Sequence, residues 1–364
     1  MSTEYTAVPV MRPTEKHEPQ NRFFQGIPSI VATLKGRLFA AWYGGGSGEG
    51  ADNFVMIAIS DDGGKNWSKP VAVIDPPQEK IRAYDPTFFV APDGRLYLFW
   101  AQTESQKLWD IWDGHAGVWY SVCAEPDAPA EELKWTHPVR IGDGIMMNKP
   151  VVLNNGEWAL PLSIWNVNQE RRPSADTGAK MFVSTDNGIT FTERGSVHIP
   201  DELARFDEHS IYQLKDGSLG MLIRMKKGYF ESFSKDGGGT WSEVVVSPIP
   251  GPDSRAYIGR LKSGRLLLVH NDSTSARRNM TARLSDDDGK TWSGKLVLDL
   301  REQTSYPDVT ELPDGRICVI YDYARQNGGF ILCSVFTEDD ILAGKLDSEG
   351  SSAANIISVL PHCL

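Results

Sequence analysis

Six times along the chain a short apolar run meets a polar turn closed by a glycine and leaves as a second apolar run. The glycines are Gly36, Gly94, Gly156, Gly217, Gly264 and Gly315. Ser29-Ile30-Val31-Ala32-Thr33 precedes the first turn and Leu38-Phe39-Ala40-Ala41-Trp42 follows it; Thr87-Phe88-Phe89-Val90 precedes the second. Apolar run, two-residue turn with Gly, apolar run is the pattern of a β-hairpin. Almost no helical periodicity interrupts it, and Asp339 to Gly344 predicts a single helical turn.

A second pattern lies downstream of four of these hairpins. Ser60 to Trp67, Ser184 to Phe191, Ser234 to Trp241 and Ser285 to Trp292 share Ser-x-Asp-x-Gly-x-Thr-aromatic, with Asn66 in place of Thr in the first. Asp and Gly make a tight turn, the carboxylate taking backbone N–H groups and Gly supplying a positive φ. The aromatic is expected to fold back as an apolar plug. Degenerate copies begin at Ser121, where an insertion delays Trp135-Thr136, and at Ser334, which lacks a Trp. The six serines are spaced 49 to 63 residues apart. A unit of about fifty residues with four strands is a propeller blade. The prediction is an all-β, six-bladed β-propeller, one domain over residues 1–364. Its blades are expected near 20–75, 80–140, 145–195, 205–250, 252–300 and 303–364. The outer strand of the last blade is expected from Ile356 to Leu360 or from the N-terminal Thr6 to Val10, either of which covers an open edge.

Composition narrows the partners. A net charge of −11 argues against a general nucleic-acid binder. It leaves room for an anionic small ligand, because a few arginines set the field inside a cleft. The cysteines, Cys123, Cys318, Cys333 and Cys363, have no metal or disulfide spacing. The first twenty residues hold no apolar core of a signal peptide, and no stretch approaches a membrane span. A cytoplasmic protein with no membrane partner is the expectation.

The hairpin glycine serves as a ruler for chemistry. Nine places before it stand Ile27, Asp85, Glu208, Arg255 and Tyr306; in the third copy Lys149 takes the place through its shared following Pro. Inner strands of a propeller start around its axis, so five of six such positions carry polar or ionisable groups. Seven places after the glycine stand Tyr43, Ser163, Arg224, Asn271 and Asp322. Arg278 precedes the third strand of the fifth copy, and the loop from Tyr43 to Asp52 is glycine-rich without the pattern of a phosphate loop.

These motifs resemble the sialidase (neuraminidase) superfamily, six-bladed propellers with such Ser-x-Asp turns. The resemblance covers about residues 20–340. It implies a glycosidase that grips a sugar carboxylate with arginines and attacks through a tyrosine. By motif, Glu208 in Asp-Glu-His-Ser, Arg224 in Leu-Ile-Arg, Arg278 in Arg-Asn-Met-Thr and Tyr306 in Ser-Tyr-Pro-Asp match the family. The first of the family's three carboxylate-gripping arginines is missing, for Gln25 or Gly26 stands in its place in Phe24-Gln25-Gly26-Ile27-Pro28. Asp52, Glu49 and Asp85 are candidates for the acid.

The chemistry fits an acidic oligosaccharide or glycoside. A phenol is a weak nucleophile near neutrality, and a neighbouring carboxylate can take its proton during attack. Tyr306 and Glu208 form that pair. Arg224, Arg278 and Arg255 would hold a carboxylate; Lys149, Asn148, Gln25, Tyr43, His115 and Asp308 complete the candidate binding set. No cofactor is expected. An alternative is a uronate-directed lyase, with His209 or Tyr212 removing a proton beside a carboxylate held by Arg224. Another is a carbohydrate-binding propeller without turnover, with Trp100, Trp112 and Trp165 near its rim. Metal binding through His115, His209 and Asp207 lacks close ligand spacing.

Overall fold

A computed structural model describes residues 9–77, 80–104, 116–165, 177–200, 202–326 and 329–361. It contains six antiparallel sheets of four strands each. The first blade is Phe24–Ala32, Leu38–Gly45, Phe54–Ser60 and Ala72–Ile74; the second is Ile81–Val90, Leu96–Glu104, Gly117–Cys123 and Val139–Asp143. The third is Val151–Val152, Trp158–Ile164, Gly178–Ser184 and Thr192–Val197; the fourth is His209–Gln213, Leu219–Arg224, Tyr229–Ser234 and Val245–Val246. The fifth is Tyr257–Arg260, Leu266–Asn271, Met280–Ser285 and Ser293–Asp299; the sixth is Thr304–Glu311, Ile317–Tyr323, Phe330–Phe336 and Ser352–Val359. Within each blade, sequence neighbours are sheet neighbours, as hairpin connections require. A short helix, Glu338–Ala343, is capped by Thr337, whose hydroxyl accepts from the Asp340 N–H, and ends on Gly344 at φ 71°.

The chain packs as two compact units. One comprises Met1–Ile145, Asp308–Phe336 and Gly350–Leu364; the other comprises Met146–Pro307 and Thr337–Glu349. In the first, Ile30, Leu38, Trp42 and Met56 of the first blade pack with Cys318, Ile320, Ile331 and Val335 of the sixth. In the second, one core joins the third and fourth blades around Met181, Ile211 and Met221, and another joins the fourth and fifth around Tyr212, Leu222, Ile258 and Leu268.

Three of the four Ser-x-Asp turns, those ending in Trp67, Trp241 and Trp292, are corners of these cores. In the fourth blade, Ser234 Oγ donates to Asp236 (2.8 Å) and accepts from Gly238 N (2.8 Å), while Asp236 accepts from Thr240 N (2.9 Å). Gly237 and Gly238 lie at φ 72° and 95°, a conformation costly for a residue with a Cβ. The turn sends Trp241 onto the core between the third and fourth blades; Trp292 and Trp67 take the corresponding places in their own blades. The second blade's insertion keeps a remnant, with Ser121 Oγ donating to Thr136 O at 2.7 Å.

The outer strand of the sixth blade is Ser352–Val359, on the C-terminal side. The N-terminal alternative, Thr6 to Val10, falls largely outside the described residues. Further along, Met11 makes a single bridge to Val73 at the outer edge of the first blade.

Candidate active site

The inner strands carry a recurrent backbone irregularity. Ile27, Asp85 and Tyr306 have φ of 54°, 48° and 54°, and Asp207 has 48° one residue before Glu208. In the first and second blades this is a β-bulge, with register shifts between Gly26 and Ser29 and between Tyr84 and Thr87. Bulges re-aim a side chain out of the strand's alternation. A left-handed φ outside glycine costs about 1–3 kcal/mol and persists only where surroundings enforce it.

In the unit of the third to fifth blades, Tyr306 stands at such a left-handed position and belongs to a buried charged cluster. Tyr306 is 4% exposed, Glu208 4% and Arg224 2%. Arg224 Nη1 donates to Glu208 Oε1 at 2.7 Å and to the Tyr306 hydroxyl at 3.0 Å. That hydroxyl lies 3.4 Å from the same Glu208 oxygen. Glu208 Oε2 is buried with no hydrogen-bond partner among the described residues. An acceptor left in that state is costly unless a ligand or water uses it. The guanidiniums of Arg255 and Arg277 sit 5.4 and 5.1 Å from the Tyr306 ring centre. Burial works against the Arg224 charge, but Glu208, Tyr306 and Asp253 outweigh it and hold its guanidinium well above the usual range. It is therefore a fixed positive charge beside the phenol.

Several expected residues have other duties. Arg255 donates to the carbonyls of Met147, Tyr306 (3.2 Å) and Pro307 (3.1 Å) and to Asn148 Oδ1 (3.3 Å). It fastens the backbone on which Tyr306 stands and has little left for a substrate carboxylate. Asn148 also ties the His209 carbonyl at 2.7 Å. Arg278 is exposed and lies 3.5 Å from Glu302; its neighbour Arg277 is the one against Tyr306. His209 has Nδ1 3.1 Å from Asp207 O and Nε2 2.9 Å from Lys180 O, and burial pushes its imidazole down to about 4. Neither ring nitrogen is open, which removes it as a lyase base or metal ligand. Tyr212, the other expected lyase base, is packed in the core between the fourth and fifth blades, and burial raises its phenol. Lys149 and Asn148 line a cavity of about 450 Å³ along the inner strands of the third to fifth blades, whose lining includes neither Tyr306 nor Glu208.

Two groups of this cluster carry no sequence signal. Asp253 accepts from Arg224 Nε at 2.8 Å and from Arg205 Nε at 3.0 Å. Phe206 lies under the Arg224 and Arg205 guanidiniums at 4.9 and 5.4 Å, and Trp165 packs on Phe206 at 5.0 Å. Trp165 is thus a buried support, as is Trp100, whose Nε1 bonds Gln102. His115 and Trp112 lie outside the described residues.

The other unit holds the rest. Asp85 and Tyr43 are buried together with Arg82, whose guanidinium stacks on Tyr84 at 3.9 Å and on Tyr43 at 5.4 Å. Burial first, then Glu49 and Asp85, push the Tyr43 phenol well up. Gln25 is consumed by structure: it donates to Gly329 O and accepts from Arg22, Trp42 and Ser358. Asp308 is likewise a strand staple, accepting from Ser29 Oγ at 2.6 Å and Ile30 N at 2.8 Å. Asp52 is exposed, and its carbonyl leaves no room for a side chain at Gly45. Where the resemblance expects an arginine, Gly26 leaves space that Arg325 fills. A Cβ at Gly26 would lie 2.8 Å from Arg325 Cδ, and the guanidinium lies 3.5 Å from Glu49 and 3.6 Å from Asp322. Among the described residues, no cluster of three or more His, Cys, Asp or Glu could hold a metal ion, and no helix is long and apolar enough to cross a membrane.

The four-stranded sheets, their hairpin order and their Ser-x-Asp corners define a six-bladed β-propeller of the sialidase type. The intramolecular trans-sialidase from Ruminococcus gnavus in complex with oseltamivir carboxylate superposes with a TM-score of 0.71 at 15% identity, covering 92% of this chain and 98% of that one. Residues 36–319 match the BNR repeat-like domain, and the chain belongs to that family within the sialidase superfamily. It is 25% identical to a sialidase of Micromonospora viridifaciens over 86% of its own length and 53% of the relative's. It is 22% identical to a sialidase of Bacteroides fragilis over 81% and 59%. The chain thus spans little more than half of these curated relatives.

Proposed function

We propose that this protein is a glycan-active enzyme that breaks a glycosidic bond through Tyr306, with Glu208 as the base. The supporting observation is the meeting of phenol and carboxylate on one guanidinium, in a buried cluster, at a strained backbone position. In the attack, the Tyr306 oxygen bonds to the anomeric carbon and its proton passes to Glu208. The departing oxygen leaves with a proton from solvent or acid. Water then attacks the anomeric carbon and loses its proton to solvent while Glu208 returns its proton to the departing Tyr306 oxygen, so two displacements retain the anomeric configuration. Arg224 stays charged throughout and stabilises the negative charge that develops on the phenol oxygen. The contact of 3.4 Å between phenol and carboxylate is long for a hydrogen bond, and such contacts shorten when substrate binds.

The relatives named sialidases and the trans-sialidase fold support a glycan substrate. Whether the sugar is anionic is separate from the bond-breaking step. Tyr306→Phe is expected to lower kcat by at least a thousandfold while glycoside binding changes less than threefold. Rapid quenching of the wild type should find the sugar's mass on the peptide bearing Tyr306. Hydrolysis by Tyr306→Phe within tenfold of wild type would remove the tyrosine from the reaction. Appearance of an unsaturated product would assign elimination instead.

A further inference from the structure

Arg224, the guanidinium that donates to the Tyr306 hydroxyl, is already answered by acid. Asp253 Oδ1 accepts from both Arg224 Nε (2.8 Å) and Arg224 Nη2 (2.7 Å), and Oδ2 accepts from Arg205 Nε (3.0 Å). Its main-chain oxygen accepts from Arg277 Nε (3.1 Å) and Nη2 (2.8 Å). The Nε–Nη2 edge of a guanidinium is where a carboxylate docks side-on. On Arg224 that edge belongs to the protein, and its Nη1 belongs to Glu208 and Tyr306.

The segment that carries Asp253 is fixed. Pro250 and Pro252 each lock a φ. Gly251 lies so close to Tyr229 that a Cβ there would stand 2.4 Å from the ring. Ser254 N donates to Pro252 O at 2.8 Å. Exposure is divided unequally: the Asp253 side chain is 32% exposed and Arg224 2%. A ligand arriving at this edge meets the carboxylate in front of the guanidinium. A second carboxylate would face a like charge, whereas a hydroxyl can donate to it.

We infer that Asp253 is a specificity-determining residue: it fills the seat on Arg224 that a substrate carboxylate would take. The sugar bound here offers hydroxyls at that edge and no carboxylate. This rests on the proposed function only for the location of the sugar beside Tyr306.

The test uses a matched pair of glycosides, one with a carboxylate on the sugar and one with that carboxylate reduced to a primary alcohol. Binding of each is measured by calorimetry on Tyr306→Phe, so neither sugar is consumed. The alcohol should bind at least tenfold tighter. Asp253→Gly, with the Arg224 edge freed, should reverse the preference. Asp253→Asn keeps the shape and removes the charge, and should narrow the ratio at least fivefold even where the glycine variant does not fold. A carboxylate preference without substitution, an unchanged ratio in Asp253→Asn, or binding of neither sugar would overturn the inference. The ratio is read without turnover, so it stands or falls apart from the tyrosine's part in bond cleavage.

Discussion

Arg224 is held by two carboxylates and a phenol, and its removal would strand one of them. Glu208 would stay buried with its charge uncompensated, a defect worth about 3–5 kcal/mol. Arg224→Ala is therefore expected to lower the unfolding free energy by about that amount in a urea titration. Arg224→Lys should recover only part, because an ammonium cannot span Glu208 and Asp253 with a planar fork. Arg255 should behave differently. Its guanidinium fastens the carbonyls of Tyr306 and Pro307, so Arg255→Met should depress kcat more than it raises KM. An equal effect on both would deny it that positioning part. These contrasts show where the sequence runs out. Counting back from the hairpin glycine places Tyr306 on an inner strand, and Glu208 and Arg255 one and two residues before theirs. The count fixes a backbone position and not the reach of a side chain. The Arg255 head is taken by carbonyls, and a one-residue step in the loop before Met280 exchanges Arg277 for Arg278. Asp253 sits in a proline-bound loop that no repeat marks.

The Ser-x-Asp turns were fully legible, since each is a local circuit of hydrogen bonds written in eight residues. They also set an acid limit on stability. Hydrogen bonds from Thr190, Thr240 and Thr291, hydroxyl and N–H alike, hold Asp186, Asp236 and Asp287 down to about 2. An ordinary aspartate in the unfolded chain titrates near 3.8. The folded state binds these protons more weakly, so their contribution is complete above about 4 and is lost as pH falls toward 2. The buried imidazoles act earlier. Burial holds His209 and His270 at about 4 against a usual 6.5, so their stabilising share is whole above 6.5 and drains as pH falls to 4. A stability–pH curve is expected to descend in two stages. Asp236→Asn should flatten the lower stage, and a single unbroken descent would contradict this assignment. Gly238→Ala tests the corner sterically: at φ 95° a Cβ would stand 2.4 Å from Met181 Sδ, and a loss of at least about 1 kcal/mol is expected in thermal unfolding.

Across the chain, the cores of both units are laid down between successive blades, so a probe buried in one reports on opening of that unit. Cys318 and Cys333 serve for the first. Their thiols are buried in adjacent strands, and the contact with Cys333, then burial, raises the Cys318 thiol well up. Labelling by a thiol reagent should track urea unfolding of that unit, and fast labelling in native buffer would contradict such packing. The number of blades was readable because the repeat is; the outer strand of the last blade had two claimants, and only coordinates chose Ser352–Val359. The left-handed backbone shared by Ile27, Asp85 and Tyr306 has a further bearing. Main-chain shape, rather than the identity of the group it carries, decides where that group is delivered. Each such station can exchange its cargo without rebuilding the strand beneath, which leaves a repeated scaffold free to try new reagents one at a time.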